Sequence, residues 1–189
     1  WHLHLVLQGR QKWLVQFLGK NSNIQGIISV SETARSVFAG SAVDPKISVL
    51  YNWVAPDFLI ESRRLSRKQI YSLLKVLIIG RISPEKGQLS LLQSISNMKR
   101  ELFEISFAGN LVEDPVFKLE FQQFVQKLML EGFRINLPGF VEDVKNELSR
   151  NEFLILPSKV PEALPLSVIE AFSSKPKYEL SIHFACGAG

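Results

Sequence analysis

Short apolar runs, each followed by a longer amphipathic stretch, occupy the chain from Lys75 onward. Alternation of this kind is typical of parallel strands joined by crossover helices. The predicted strands cover residues 75–80, 104–108, 134–137 and 153–157. Because these runs are nearly continuous in apolar residues, we expect helices to cover both faces of the sheet. The predicted fold class is therefore α/β, with a doubly wound parallel sheet.

Two amphipathic stretches predict the helices that pack on this sheet. Residues 86–96 place Leu89, Leu92 and Ile95 on one face. Residues 115–130 do the same with Phe117, Phe121, Phe124 and Leu128.

The first 55 residues have a different pattern. Residues 26–30 and 47–50 predict strands, and Ser31 is a plausible N-cap for a short helix through Phe38. Residues 56–72 are polar and basic and predict a linker.

Composition and charge limit the classes of protein. Apolar residues make up 46% and charged residues 21%, which predicts a folded globule. The longest apolar runs are far shorter than the roughly 18 residues that a membrane span needs. A single cysteine, Cys186, excludes an internal disulfide, and the three histidines at the chain ends predict no metal cluster, so we expect a reducing compartment.

The basic excess lies near the N-terminus, where residues 1–70 contain nine Lys/Arg against four Asp/Glu. This excess has three interpretations: a solvated linker face, attraction to an anionic membrane surface, or nucleic-acid binding. Arg63-Arg64 and Arg67-Lys68 lack interleaved aromatic residues, so we expect no nucleic-acid partner. The chain begins with Trp1 rather than Met, and we expect its true start upstream.

The loop after the strand at 75–80 carries two cations between glycines, in Gly80-Arg-Ile-Ser-Pro-Glu-Lys-Gly87. In doubly wound folds, ligands bind at the carboxyl ends of the strands. Arg81 supplies a planar fork of donors and Lys86 a compact charge at the start of the next helix, so together they suit a diphosphate. A surface turn with incidental charges is the alternative.

A second candidate segment, Pro161-Glu-Ala-Leu-Pro-Leu-Ser-Val-Ile-Glu170, follows the strand at 153–157. Pro165 suits the first turn of a helix, whose unpaired N–H groups would face an anion such as a phosphate. Glu170 on that helix can accept hydrogen bonds from two ribose hydroxyls, while Glu162 in the loop can reach a sugar. The alternative is two unrelated surface glutamates.

A third candidate segment, Leu137-Pro-Gly-Phe-Val141, also follows a predicted strand. Gly139 lets the backbone approach a flat ligand, and Phe140 can lie against a base. Packing of Phe140 in the core is the alternative.

The ordered set GRISPEKG, FAGN, LPGFVEDV, FLILPS and PEALPLSVIEA resembles the C-terminal half of glycosyltransferase family 4, also described as glycosyl transferases group 1. This is the large GT-B group of retaining enzymes. Upstream, residues 28–32 and 49–54 resemble the end of that family's first domain. The resemblance extends over roughly residues 24–176.

The resemblance implies a division of the chain and a role for each motif. Residues 1–55 would be the tail end of the N-terminal GT-B domain, and residues 73–176 an incomplete nucleotide-sugar-binding domain. Arg81 and Lys86 would bind the donor diphosphate, and Glu162 the transferred sugar. The donor-binding positions that it implies are Gly80, Gly139, Phe140, Val141, Ala163, Leu164, Pro165 and Glu170.

The activity implied is transfer of a hexose-type sugar, with retention of anomeric configuration, from a nucleotide-diphosphate sugar to a polysaccharide, lipid or glycoside acceptor. The donor is a substrate, and neither a cofactor nor a metal is expected. We expect a cytoplasmic protein with peripheral membrane contact.

The chain departs from the family at its ends. Phe172-Ser-Ser-Lys-Pro-Lys177 lacks the family's Gly, and residues 177–189 do not resemble the next strand and helix, so we expect an aberrant tail. The resemblance also implies that this sequence contains only the end of the domain that would hold the acceptor. We therefore expect this chain alone to be inactive, and the alternative function is a non-catalytic remnant that at most binds the nucleotide. A receiver-like signalling domain would need an acidic cluster at the strand ends, where this sequence has Arg and Lys.

Overall fold

The structure, a computed structural model, describes residues 1–54 and 73–173. These residues group into two compact units. The first contains Trp1–Val54 together with Pro161–Ile169, and the second contains the rest of the described chain. The predicted linker at 56–72 and the predicted tail at 177–189 lie outside the described residues.

The first unit contains a small parallel sheet in the order β1-β2-β3. Its elements are β1 (His2–Leu3), α1 (Gly9–Leu18), β2 (Ile27–Ser29), α2 (Glu32–Ser36) and β3 (Ile47–Val49). The two predicted strands and the Ser31 cap are confirmed, since the Ser31 Oγ accepts a hydrogen bond from the Ala34 N–H at 3.1 Å. Leu3, Ile27, Phe38, Val43 and Ile47 form the core of this unit.

The second unit contains a four-stranded parallel sheet in the order β6-β5-β4-β7. Its strands and helices are β4 (Leu74–Ile79), α3 (Gln88–Ile95), β5 (Phe103–Ala108), α4 (Pro115–Leu130), β6 (Arg134–Gly139), α5 (Val144–Arg150) and β7 (Phe153–Leu154). The chain continues into α6 (Leu166–Ser173), whose residues from Glu170 onward belong to this unit. The predicted α/β class with a doubly wound parallel sheet is confirmed.

The strand order reverses at β4. From β4 the chain proceeds to β5 and β6 on one side, and it then returns to place β7 against the other side of β4. Such a switch point opens a crevice beyond the carboxyl ends of the two strands, where ligands of doubly wound folds bind. The segments after β4 and β7 flank this crevice.

One face of the sheet packs against α3 and α4 in a single apolar core. The Phe107 ring of β5 meets the Phe121 ring of α4 edge-on, with centroids 5.8 Å apart. Helix α4 has the predicted bounds because the Asp114 carboxylate caps the N–H groups of Val116 and Phe117, and Pro115 occupies the first turn. Helix α3 is shorter than predicted and begins at Gln88 rather than at Lys86.

The opposite face differs from the expectation of apolar strands throughout. Leu77 and Leu154 are buried there, but β5 and β6 present Glu104, Ser106 and Asn136. The Asn136 amide donates to the Glu104 carboxylate at 3.0 Å, within an open polar groove of about 490 Å³ beside α5. Strand β6 can be polar because it is an edge strand with little of its surface covered.

Glycine conformation decides how closely the segments after β4 and β7 can pack. Gly87 has φ +73°, in the left-handed region, and a Cβ there would lie 2.0 Å from the Pro157 carbonyl oxygen. Gly139 has a similar φ of +75° but open space around its Cα.

These two glycines form a matched pair for a stability measurement. Gly139→Ala introduces only left-handed strain, and we expect it to lower the free energy of unfolding by roughly 1–2 kcal/mol. Gly87→Ala adds the clash with Pro157, and overpacking costs about 1–3 kcal/mol more. Urea unfolding of the two variants measures the difference. Equal losses would contradict the proposed close packing of the two segments.

Candidate functional site

The carboxyl edge of the large sheet brings three glycine peptides side by side. The Gly80 N–H donates to the Ala108 carbonyl at 2.9 Å, and the Gly109 N–H donates to the Gly139 carbonyl at 2.7 Å. A Cβ at Gly109 would lie 2.0 Å from the Gly80 carbonyl oxygen, so the backbones are in van der Waals contact. The structure thus brings together two predicted site residues, Gly80 and Gly139, with Gly109 between them.

Arg81 extends from this edge into solvent. The next residue, Ile82, is fixed by hydrogen bonds to the extension of β5: its N–H donates to the Asn110 carbonyl at 2.8 Å, and its carbonyl accepts from the Val112 N–H at 3.1 Å. The Arg81 side chain is 64% exposed, and its Nη2 donates to the Glu85 carboxylate at 2.9 Å. An anchored backbone with an exposed guanidinium suits anion binding.

Lys86 lies in a 3-10 turn, Pro84–Lys86, and not at the start of α3 as predicted. The left-handed Gly87 separates this turn from the helix, which is why α3 begins at Gln88, directly after Gly87. The Lys86 N–H closes the turn on the Ser83 carbonyl at 3.1 Å. The turn is also tied to the segment after β7, since the Lys159 N–H donates to the Glu85 carbonyl at 2.9 Å.

Glu85 is held as a carboxylate beside these cations. Partial burial raises its pKa, but the neighbouring Ser83 hydroxyl, the Glu85 backbone N–H and the Arg81 guanidinium together outweigh burial and place the pKa below its ordinary value. The loop therefore contains a negative charge that partly balances Arg81.

Glu170 is half-buried on α6, and burial raises the pKa of its carboxyl above the ordinary value. Pro165 immediately precedes the helix, and its carbonyl accepts a hydrogen bond from the Val168 N–H at 3.2 Å. Pro165 was predicted in the first turn of this helix, but it lies one position before the first helical residue, Leu166.

The other residues of that motif group with the first unit and not with Glu170. Glu162, Ala163 and Leu164 are each half-buried there. The Leu164 carbonyl accepts a hydrogen bond from the Asn52 amide at 3.1 Å within that unit.

Phe140 follows Gly139 and is 69% exposed, so the alternative that it packs in the core is wrong. Val141 beside it is half-buried. The exposed ring lies one residue beyond Gly139, at the carboxyl edge of the sheet, and can offer a flat apolar surface to a ligand.

Gln88 and Glu85 were not predicted as site residues. The Gln88 side chain is buried and hydrogen-bonded to the backbone of residues 81 and 83, in the loop at residues 80–87, hereafter the Arg81 loop. One sequence signal could have identified it, because Gln88 lies on the apolar stripe of α3 with Leu92 and Ile95, where a polar side chain requires a partner.

Within 1–54 and 73–173, no group of at least three His, Cys, Asp or Glu side chains is arranged to hold a metal ion. None of the helices in these ranges has the length and hydropathy required to cross a membrane.

Comparison with known proteins identifies the family. The model of the family described as glycosyl transferases group 1 matches residues 74–175. No curated protein sequence matches the chain.

Several solved structures share the fold. One is Alr3699/HepE from Anabaena in complex with UDP and glucose, with a TM-score of 0.75 and 19% identity over 95% of this chain and 51% of that one. Another is a glycosyltransferase from Rickettsia africae, with a TM-score of 0.71 and 18% identity over 95% and 50%. A third is the lipopolysaccharide outer core galactosyltransferase WaaB, with a TM-score of 0.58 and 18% identity over 82% and 43%.

The chain spans about half the length of these solved structures. The family match covers more than half of the chain. It includes the four strands of the second unit, the three glycines Gly80, Gly109 and Gly139, and the loop at residues 80–87. The chain therefore belongs to the glycosyl transferases group 1 family of GT-B glycosyltransferases.

Proposed function

We propose that the chain is the donor-binding part of a glycosyltransferase that moves a hexose-type sugar from a nucleotide-diphosphate sugar to a polysaccharide, lipid or glycoside acceptor, with retention of configuration. One observation carries the proposal: an exposed guanidinium, Arg81, on a fixed backbone at the switch point of a doubly wound sheet. The family membership supports the transferase class.

Arg81 and Lys86 would act on the leaving diphosphate. As the bond between sugar and nucleotide breaks, negative charge accumulates on the diphosphate, and cations already in place stabilise that charge. Two positive side chains on one loop would supply this without a metal ion. Glu85 keeps the resting loop from being strongly positive, so the diphosphate would share Arg81 with it.

The remaining motif residues would hold the rest of the donor. Glu170 as a carboxylate would accept hydrogen bonds from the ribose hydroxyls, and Gly139, Phe140 and Val141 would lie near the base. Glu162 would contact hydroxyls of the transferred sugar. Ala163, Leu164 and Pro165 would line the approach to the N–H groups at the start of α6.

Solved structures with the same fold support this donor class. HepE is described with UDP and glucose, and WaaB as a galactosyltransferase of the lipopolysaccharide core. We propose by analogy that this chain uses a nucleoside diphosphate donor and a saccharide acceptor.

The diphosphate assignment is tested by titrating the chain with UDP and GDP. We expect Arg81→Ala and Lys86→Ala each to weaken binding of the preferred nucleotide by about tenfold or more, because a charge-assisted hydrogen bond contributes about 1.5–3 kcal/mol. Arg134→Ala is the matched control, since Arg134 is exposed at the amino end of β6. The proposal fails if the control and the two loop variants bind equally.

The ribose assignment predicts a pH dependence. Burial raises the Glu170 pKa, whereas hydrogen bonds from a ribose would favour the carboxylate, so the nucleotide should bind best above that pKa and lose affinity as pH falls through it. Glu170→Gln cannot ionise, and we expect it to bind more weakly at neutral pH.

The affinity difference between wild type and Glu170→Gln should shrink as the pH falls through the raised pKa of Glu170, which lies above the ordinary glutamate value. Titration of the nucleotide phosphates changes the affinity of both proteins equally, so it cancels in this difference. The charge on Glu170 has the opposite effect on stability. Because burial raises the pKa of Glu170, the folded chain prefers the protonated carboxyl, and Glu170→Gln should raise the melting temperature at pH 7. A pH-independent difference would argue against the ribose role.

We also propose peripheral contact between the first unit and an anionic membrane surface, on the cytoplasmic side. Helix α1 buries no side chain, and Trp13, Leu14, Phe17 and Leu18 are exposed on it, with the Trp13 and Phe17 rings stacked at 5.3 Å. Residues 1–31 contain Arg10, Lys12 and Lys20 and no Asp or Glu. Exposed aromatic residues flanked by cations are typical of interfacial helices.

Vesicle co-sedimentation tests this contact. We expect the chain to bind phosphatidylglycerol-containing vesicles more tightly than phosphatidylcholine vesicles, and less tightly as salt is raised. The double variant Trp13→Ser, Phe17→Ser should weaken binding by at least about tenfold, because each buried aromatic ring contributes about 1.5–3 kcal/mol. Trp53→Ser, which removes an exposed indole outside α1, is the control. Equal binding by both variants would refute the role of α1.

A further inference from the structure

Gln88 is a polar residue in an apolar place. It is the first residue of α3, its side chain is 1% exposed, and it lies on the same helix face as Leu92 and Ile95. Burying an amide costs free energy unless both its donor and its acceptor are paired. The partners of Gln88 therefore indicate why an amide is present.

Both partners are backbone groups of the Arg81 loop. The Gln88 Nε2 donates to the Arg81 carbonyl at 2.9 Å, and its Oε1 accepts from the Ser83 N–H at 3.3 Å. One side chain thus binds the peptide groups on either side of Ile82.

Ile82 itself is held from the opposite direction. Its N–H and carbonyl bond to Asn110 and Val112 beyond β5. The backbone of residues 81 and 83 is therefore held by Gln88 of α3, and the backbone of residue 82 by the segment that follows β5. The position of the Arg81 Cα depends on this arrangement.

Only an amide of this length satisfies both groups. Methionine has a similar shape but offers no donor and only a weak acceptor, and glutamate offers no donor when ionised. Loss of the amide would leave a backbone carbonyl and an N–H of the loop without their partner, and an unpaired buried polar group is destabilising.

We propose that Gln88 is a positioning residue for diphosphate binding: it holds the Arg81 and Ser83 peptides so that the guanidinium is presented to the donor. This inference rests on the proposed function. A guanidinium has five N–H donors, so Arg81 can bond Glu85 and a phosphate at once if its backbone stays in place. Gln88 acts on the ligand through Arg81 and does not touch it.

The experiment compares Gln88→Met with Gln93→Met, a matched change on the exposed face of the same helix. UDP affinity is measured by calorimetric titration of the chain, or GDP affinity if GDP binds more tightly. We expect Gln88→Met to weaken binding about tenfold or more, since a displacement of about 1 Å in a positioned group has large effects, and Gln93→Met to leave it unchanged.

A double-mutant cycle separates positioning from general destabilisation. In an Arg81→Ala background, Gln88→Met should cause no further loss of nucleotide affinity, because its effect passes through Arg81. Amide hydrogen exchange should show faster exchange at Ser83 in Gln88→Met, with protection of Phe107 in the core unchanged. If Gln88→Met does not fold, Gln88→Glu keeps the shape and one acceptor and serves the same comparison.

The outcomes distinguish the two proposals. Wild-type affinity in a folded Gln88→Met variant, or an equal loss with and without Arg81, overturns the inference and leaves the proposed function in place. Absence of nucleotide binding by the wild-type chain, or unchanged binding in Arg81→Ala, overturns the proposed function and with it the role of Gln88.

Discussion

The close approach of the backbones at the carboxyl edge of the large sheet is the constraint on which the candidate site depends. A side chain at Gly109 would collide with the Gly80 carbonyl, and one at Gly87 with the Pro157 carbonyl. Because glycines occupy these positions, the loops after β4, β5 and β7 pack backbone to backbone. Arg81, which follows Gly80, and Phe140, which follows Gly139, extend to solvent. The sheet thereby fixes peptides and leaves selected functional groups exposed.

Much of this architecture was predictable from the sequence, because buried parallel strands need apolar runs and amphipathic helices cover them. The runs in β4 and β7, the stripe on α4 and the cap at Ser31 have local causes. Helix α1 was not predicted, and its apolar residues Trp13, Leu14, Phe17 and Leu18 are exposed instead of facing a core. The polar face of β5 and β6 depends on their position near the sheet edge, which the pattern of residues does not contain.

The site was partly predictable for a related reason. Glycine beside Arg or Lys at a strand end indicates an anion-binding loop, so Gly80, Arg81 and Lys86 could be selected. Gly139 could be selected because glycine lets the backbone approach a flat ligand. Lys86 was expected on the helix but lies in the preceding 3-10 turn, because the left-handed Gly87 interrupts helical geometry. Gln88 binds backbone groups five and seven residues before it in the chain, and such bonds leave only a faint signal in the sequence.

Opposite charges lie on one short loop, where Arg81 is anchored through its backbone and paired with Glu85. The central claim is that a nucleoside diphosphate occupies this loop. A crystal structure of the chain with UDP or GDP tests it most directly. We expect phosphate oxygens within hydrogen-bonding distance of the Arg81 guanidinium and the Lys86 ammonium. A diphosphate bound instead in the polar groove beside Glu104 and Asn136, with the Arg81 loop empty, would contradict it.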